Sequence, residues 1–316
     1  MHCAREIFWV RWLLLLSWLC AAAARAAPVP SLYASIVPEA DPQHAAQAAM
    51  REVLVRLVGT REAADDPALA GLVADAGRYV QLERRTTRGS TQVVFDGPAL
   101  RAAVAATGRT IWDPDRPLVW VVLPVLAGGA GEELRTQLNA AAQARGLPIA
   151  LVSADSTGAD PGASGPAAVL AAAHRAGAGA ALIAQAAAAD QPLQWTLVAP
   201  TADGHWSGPA ALAIDGTADA LVRAAREIDT TPAGDYDCRI AGVNDLTSFT
   251  AVLDSVDSIP GVSDVTLRAV DADQLTLHFK SRSNPASITR ALASSHLRAL
   301  GGSVDGVLQY RYQGGT

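Results

Sequence analysis

The chain has 316 residues, of which 50% are hydrophobic and 18% are charged, and its formal net charge is −6. This length suffices for two or three packed cores, and the mildly acidic balance disfavours partners such as nucleic acid and anionic lipid surfaces. With three cysteines, one of them outside the N-terminal segment, a disulfide framework is excluded as the source of stability.

Residues 1–26 have the layout of a secretory signal peptide. Arg5 and Arg11 supply positive charge, residues 12–24 form the apolar core, and residues 24–26 are a small-x-small cleavage site. The apolar core of about 13 residues is shorter than the roughly 20 that span a bilayer, so an uncleaved anchor is the weaker alternative. Lipid attachment at Cys20 is disfavoured because large side chains precede it. We therefore expect a periplasmic or secreted protein.

The first predicted unit, residues 28–113, mixes helices with a hairpin. An alternating segment from Leu32 predicts a strand, and Asp41-Pro42 predicts the start of a helix whose apolar side chains recur at helical spacing until Gly59. The remaining predicted elements are a short helix, two strands joined by Arg88-Gly89-Ser90, and a third helix, at residues 66–73, 79–95 and 99–107.

Element order and three short strings in this part of the chain resemble the bacterial envelope family called domain of unknown function 2066. The strings are LYASIVPEADPQHAAQAAMREVLVRLVGTR, YVQLERRTTRGSTQVVFDGPALRAAVAATGRTIW and DPDRPLVWVVLPV. The resemblance covers Leu32 to the start of the next unit, and more loosely the whole exported chain. It implies an exported protein of Gram-negative bacteria without an assigned activity, and it brings no active-site residues.

The second predicted unit, residues 116–230, begins with the apolar run RPLVWVVLPVL at Arg116–Leu126. A continuous run this rich in β-branched residues predicts a strand that is buried on both faces and covered by layers on both sides. The complete unit predicts the order βαβαβββα, a mixed three-layer α/β arrangement. Its last strand is expected at His205–Ile214 and its last helix at Asp215–Ile228.

The string HRAGAGAALIAQA, which starts at His174 and precedes a Trp-containing strand, resembles the N-terminal domain of the translocation protein TolB. It is also similar to the penicillin-binding-protein activator lipoproteins of that fold. The likeness concerns topology, so it implies no function. The apolar composition of Ala167–Ala189 admits a membrane span as an alternative. His174, Arg175 and Gln185 within it, and the weak insertion tendency of alanine, disfavour that alternative.

The third predicted unit, residues 234–314, has the order βαββαβ of a ferredoxin-like split βαβ fold. Cys238 is expected as a small buried residue in its first strand, and Asn244 or Asp245 as the N-cap of its first helix. Its last strand is expected at Val304–Tyr312. No cysteine cluster accompanies the fold, so an iron–sulfur centre is not implied. The chain as a whole is thus predicted to comprise three small mixed α/β and α+β units.

Sequence patterns of known catalytic and cofactor sites are missing. The glycines around Gly129 lie between a strand and a helix but do not fit a phosphate-binding loop, and Glu132 and Glu133 put negative charge where a phosphate would lie. The histidines do not occur at metal-ligand spacing. We therefore expect no metal and no cofactor.

Five residues are candidates for an interaction site. Trp112, Asp113 and Asp115 lie at the seam between the first and second units, and clefts between domains commonly bind ligands. His205 beside Trp206 would line a site if both side chains met at a strand edge, although the end of a surface strand is the simpler interpretation.

The leading functional hypothesis is a non-enzymatic accessory protein that binds another envelope protein or complex. The expected docking places are an exposed sheet edge of the third unit and the loop at residues 153–166. One alternative is a hydrolase with a site around Trp112, Asp113 and Asp115. Another is a module in the second unit that binds a small ligand or peptidoglycan.

Overall fold

The fold was analysed in a computed structural model, which describes residues 32–87, 89–124, 129–156, 165–185, 192–293, 297–300 and 307–313. The predicted signal peptide, Arg88 of the first hairpin and residues 157–164 of the predicted docking loop lie outside the described residues. In the described part of the chain, three sheets carry thirteen strands and eight α-helices accompany them. The prediction of several small mixed units is confirmed, and each predicted unit contains one sheet.

The first unit consists of a three-stranded antiparallel sheet, in the order β1-β3-β2, and a long helix packed on one face. Its elements are β1 (Ala34–Val37), α1 (Pro42–Val58), α2 (Ala70–Ala74), β2 (Val80–Arg85), β3 (Thr91–Phe95) and α3 (Gly97–Ala106). The predicted ends of α1 are confirmed. The Asp41 carboxylate accepts a 2.9 Å hydrogen bond from the His44 backbone N–H, and Gly59, in the left-handed conformation, ends the helix.

The second unit is a five-stranded mixed sheet in the order β5-β4-β6-β7-β8. Strand β4 pairs in parallel with β5 and β6, and the remaining pairs are antiparallel. The elements are β4 (Val119–Leu123), α4 (Ala130–Arg145), β5 (Ile149–Ser153), α5 (Gly165–Arg175), β6 (Ala180–Gln185), β7 (Gln194–Val198), β8 (Asp203–Ser207) and α6 (Ala210–Thr230). The predicted element order is confirmed.

Strand β4 is buried on both faces, as its continuous apolar run predicts. Val121 belongs to a core that includes Leu138 of α4 and Leu221 of α6. Val122 points to the opposite face and belongs to a second core with Val169 of α5. Helices therefore cover both faces of the sheet, and β4 joins the two cores.

The predicted boundary between the last strand and the last helix of this unit is wrong. Residues 205–214 do not form one strand, because β8 ends at Ser207 and α6 already begins at Ala210. Gly208 has a φ of 138°, which breaks the strand, and Pro209 then precedes the first helical residue. The apolar residues after Pro209 therefore lie on the buried face of α6, where a strand-like apolar run was expected.

The third unit has the sheet order β10-β11-β9-β13-β12. Its elements are β9 (Gly234–Ala241), α7 (Leu246–Asp257), β10 (Val262–Asp271), β11 (Gln274–Ser281), α8 (Pro285–Ala293), β12 (Leu297–Ala299) and β13 (Val307–Tyr312). Strand β11 lies between β9 and β10, as in the predicted split βαβ arrangement. Asp245 caps α7 and forms a capping box with Ser248.

The C-terminal strand departs from the ferredoxin-like order. The short strand β12 was not predicted, and it pairs antiparallel with β13 at the sheet edge. Because β12 reverses the chain once more, β13 runs parallel to β9. Strand β12 has only three residues, and only Leu297 among them is buried. An alternation of buried and exposed residues this short does not predict a strand. Across the residues that the structure describes, no helix is both long and apolar enough to cross a bilayer.

A candidate binding cleft between the three units

A cleft of about 890 Å³ opens where the three units meet. The segment that links the first and second units forms one wall, from Trp112 to Pro117. The C-terminal end of α5 and the face of α6 form further walls, and α7 of the third unit contributes the last one. We call this space the three-unit cleft. Its volume lies within the range of roughly 300–1,000 Å³ that is typical of ligand pockets.

The linking segment is fixed by Trp112 and Arg116. Trp112 is buried, and its backbone N–H donates a 2.8 Å hydrogen bond to the Leu57 carbonyl of α1. The Arg116 guanidinium lies 3.9 Å from the centre of the Trp112 ring, which is a cation–π contact. Pro117 then leads directly into β4. This wall of the cleft is therefore held between the core of the first unit and the central sheet of the second.

The Arg116 side chain is buried and bonded to backbone carbonyls. It donates to the carbonyls of Asp113, Arg56 and Gly146, at 3.1, 2.5 and 2.7 Å. Burial lowers the pKa of Arg116 to about 10, so the group is charged at neutral pH. The role of this arginine is to hold the junction together, since its hydrogen-bonding groups are directed at the protein backbone.

The C-terminal end of α1 is the contact surface between the first and second units. The carbonyls of residues 56–59 accept hydrogen bonds from Arg116, the Trp112 backbone, Arg226 and Arg145, respectively. These are carbonyls that a helix leaves without intrahelical partners, and the negative end of the helix dipole favours the three guanidinium groups. The hydrogen-bond donors for the last carbonyls of α1 therefore all come from residues after 111.

Three further polar side chains line the walls of the cleft. His174 is half-buried near the end of α5, and burial lowers its pKa, although a hydrogen bond with the Gly179 backbone raises it. The hydroxyls of Ser255 and Ser258 on α7 donate to backbone carbonyls at 2.7 and 3.0 Å. These hydroxyls therefore complete the last turns of α7.

Carboxylates come from two of the walls. Asp113 and Asp115 are exposed in the linking segment, and the Asp113 carboxylate accepts a 2.8 Å hydrogen bond from the Asp115 backbone N–H. Asp254 is exposed on α7 and lines the cleft from the third unit. In the described ranges, no group of three His, Cys, Asp or Glu side chains is placed to hold a metal ion.

The structure brings together three of the five predicted site residues. Trp112, Asp113 and Asp115 line the three-unit cleft. His205 and Trp206 lie elsewhere, on the edge strand β8. His205 is exposed and its ring nitrogen lies 3.1 Å from the Thr196 hydroxyl, whereas the Trp206 ring packs towards α6. Successive strand residues face opposite sides of a sheet, so these two side chains cannot line one site.

Four further charged or titratable residues of the cleft were not singled out from the sequence: Arg116, His174, Arg175 and Asp254. The sequence did contain a signal for Arg116, because a charged residue directly before a buried strand is itself expected to be buried and to need hydrogen-bonding partners. His174 and Arg175 read as ordinary basic residues at a helix end, and Asp254 as an ordinary exposed helix residue. Their assembly depends on how the three units pack, which local patterns do not encode.

An exposed sheet edge of the third unit was also expected as a docking place, and its sheet has the edge strands β10 and β12. The pairing of β10 with β11 shifts register between Ser263 and Thr266 and again between Leu267 and Ala269, and Asp264 has a φ of 54°. Bulges and charges at an edge strand oppose the addition of a further strand. Because most of the other expected docking place, the loop at residues 153–166, lies outside the described residues, the three-unit cleft is the best-defined candidate site.

One family model matches residues 26–113. Its description is "Domain of unknown function (DUF8605)", and the match covers less than half of the chain. It spans the first unit and includes Trp112 and Asp113 of the cleft. No curated protein and no solved structure gives a significant match.

The two resemblances expected from the sequence are therefore corrected. The resemblance to domain of unknown function 2066 is wrong, because the matching family is a different one. The likeness to the TolB N-terminal domain and to the penicillin-binding-protein activator lipoproteins has no support, because no solved structure matches. Element order and short alternating strings recur in unrelated α+β folds, so they do not identify a family.

Proposed function

We propose that the protein is an exported, non-enzymatic accessory protein that binds another component of the cell envelope in the three-unit cleft. The observation that carries the proposal is the cleft itself, to which all three units contribute. Its walls combine apolar side chains with the exposed carboxylates of Asp113, Asp115 and Asp254. Concave sites at domain junctions, with apolar walls and a few polar groups, are common binding sites.

The orientation of the polar groups supports binding over catalysis. The Ser255 and Ser258 hydroxyls donate to carbonyls of their own helix, and the Arg116 guanidinium donates to backbone carbonyls. A nucleophile needs a base within hydrogen-bonding reach, and an oxyanion needs donors that are aimed at it. The groups named here are engaged in holding the walls in place.

The hydrolase alternative rests on the carboxylates of Asp113 and Asp115, which line the same cleft as His174. It predicts that Asp113→Asn and Asp115→Asn abolish complementation of a deletion strain at unchanged melting temperature and unchanged partner capture. Under the binding proposal, loss of complementation follows loss of capture.

The proposal includes export of the protein, and an exported protein meets its partners in the cell envelope. The segment at residues 1–26 has the charge, apolar core and small-x-small site of a signal peptide. A mildly acidic exported chain meets proteins and peptidoglycan in the envelope. Between these two, we favour a protein segment, because the apolar walls of the cleft suit apolar side chains.

The test is cross-linking in cells that produce either the wild type or a variant whose cleft is filled by a large side chain. Ala171 of α5 lines the cleft and is partly exposed, so Ala171→Trp fills the space without replacing a core residue. Ala211→Trp is the matched control, because Ala211 is exposed on α6 outside the cleft. We expect a specific cross-linked partner with the wild type and with Ala211→Trp, and its loss with Ala171→Trp. Equal recovery with all three proteins contradicts the proposal.

A further inference from the structure

The charges around the three-unit cleft are unevenly divided. The three carboxylates Asp113, Asp115 and Asp254 are exposed, and they come from the linking segment and from α7. Carboxylates on two walls of one concave space make the potential at the margin of the cleft negative.

The basic groups of the cleft balance these carboxylates only in part. Arg116 is buried, stacks on Trp112 and donates to the carbonyls of the junction, and its charge offsets part of that of Asp113. His174 is half-buried, and burial lowers its pKa, which favours the uncharged imidazole at neutral pH. Arg175 is exposed at the end of α5. Among the described residues that line the cleft, exposed acidic side chains thus outnumber exposed basic ones.

Most of the remaining surface of the cleft is apolar, although Thr201, Ser255 and Ser258 also line it. Prolines and aliphatic side chains from all the walls contribute to it, including Pro117, Pro200, Leu221, Ile228 and Ile259. Such a surface binds aliphatic side chains, and the carboxylates at its margin fit cationic groups. Lysine and arginine combine an apolar stem with a charged end, so their side chains match both parts of the cleft.

From the charge and the shape of the cleft we infer its occupant: an apolar polypeptide segment of the partner that carries lysine or arginine side chains. This inference rests on the proposed function and adds the chemical class of the partner segment. The volume of about 890 Å³ holds a short segment and excludes a folded domain. Acidic peptides and polyanions are disfavoured because Asp113, Asp115 and Asp254 repel them.

The experiment displays a library of short random peptides and selects those that bind the exported protein. Peptides that also bind the Ala171→Trp variant are removed, so that the retained peptides require an open cleft. We expect the retained peptides to be enriched about two-fold or more in Lys and Arg over Asp and Glu, relative to the unselected library. Retained peptides without this enrichment, or no retained peptide, overturn the inference. Ala251→Trp, on the α7 wall, serves as a second blocked protein if Ala171→Trp does not fold.

Charge variants test the same point by affinity. A lysine-bearing peptide from the selection should bind the double variant Asp113→Asn and Asp254→Asn about three- to ten-fold more weakly, with a smaller salt dependence. Asp271→Asn is the matched control, because Asp271 is an exposed carboxylate on β10 outside the cleft, and its affinity should stay unchanged. An equal loss in the double variant and in the control overturns the inference.

The two failures are distinguishable. If the envelope partner is captured only by an open cleft but the selected peptides are neutral or acidic, the inferred chemistry is wrong and the proposed function stands. If the partner is captured equally by Ala171→Trp, the proposed function itself fails.

Discussion

The Arg145 guanidinium of α4 donates a 2.7 Å hydrogen bond to the Gly59 carbonyl at the end of α1, across the junction of the first and second units. The same side chain is fully buried and forms ion pairs with Asp215 and Asp219 of α6, at 3.0 and 2.5 Å. One arginine thus joins three helices. The position of the first unit, and with it one wall of the three-unit cleft, depends on this charge.

Replacement of Arg145 by methionine should destabilise the protein. The change leaves the Gly59 carbonyl without its buried donor, which costs about 1–3 kcal/mol. It also removes one ion-pair partner from Asp215 and Asp219, which are partly exposed, and Asp215 keeps its ion pair with Arg61. Urea unfolding of the variant measures this free energy. Arg223→Met is the control, because Arg223 is exposed on α6 and its replacement should cost less than about 0.5 kcal/mol. Equal stability of the two variants would show that the junction does not depend on Arg145.

Gly216→Ala should lower stability through the Trp206 ring. A Cβ atom at Gly216 would overlap the indole of Trp206, which packs between α6 and β8. Overpacking of this kind costs about 1–3 kcal/mol. Gly71→Ala, in α2, meets open space, so the helix propensity of alanine should make it neutral or slightly stabilising. The difference between the two melting temperatures therefore isolates packing, and the prediction fails if both variants melt together.

Cys238 should react with thiol reagents only after unfolding. It is fully buried in β9, and burial raises the pKa of its thiol from 9.0 to about 12. The unfolded chain therefore releases this proton at lower pH than the folded protein does. The contribution of Cys238 to stability is complete below pH 9 and is lost as the pH rises towards 12, by about 1.4 kcal/mol per pH unit.

The measurement for Cys238 compares the wild type with Cys238→Val by urea unfolding at pH 8 and at pH 10. The wild type should lose more stability between these two values than the variant, in which no thiol titrates. A parallel loss in both proteins would mean that other groups control the alkaline response.

Export predicts a defined N-terminus. If residues 1–26 are removed as a signal peptide, N-terminal sequencing of the protein from the periplasmic fraction should begin at Ala27. Replacement of Leu13 by arginine within the apolar core should leave the full-length chain in the cytoplasmic fraction. A periplasmic protein that retains Met1 contradicts cleavage, and a cytoplasmic wild type contradicts export.

Most elements of the fold could be predicted because their ends and their burial are encoded by residues close together in the sequence. Asp41-Pro42 and Gly59 supplied chemical signals for the two ends of α1, and the apolar run of β4 indicated burial on both faces. The boundary at residues 208–210 was missed because an apolar stretch suits a strand and a helix equally until the backbone of Gly208 is known. Strand β12 was missed because it is short.

The candidate site was predictable only in part. Trp112, Asp113 and Asp115 could be found because a seam between units is visible in the sequence and clefts form at seams. Asp254 could not be found, because it is more than a hundred residues away in sequence and reaches the cleft through the packing of the third unit. His205 and Trp206 were adjacent in sequence, but strand geometry separates their side chains.

The central claim, that the three-unit cleft is the binding site, is tested most directly by site-specific photo-cross-linking in cells. A photoreactive residue replaces Ala251, which lines the cleft on α7, or Ala211, which is exposed on α6 outside it. The account predicts a discrete cross-linked product from position 251, its disappearance when Ala171→Trp is added, and no such product from position 211. The same product from both positions, or a product from position 251 that persists in the filled cleft, would contradict it.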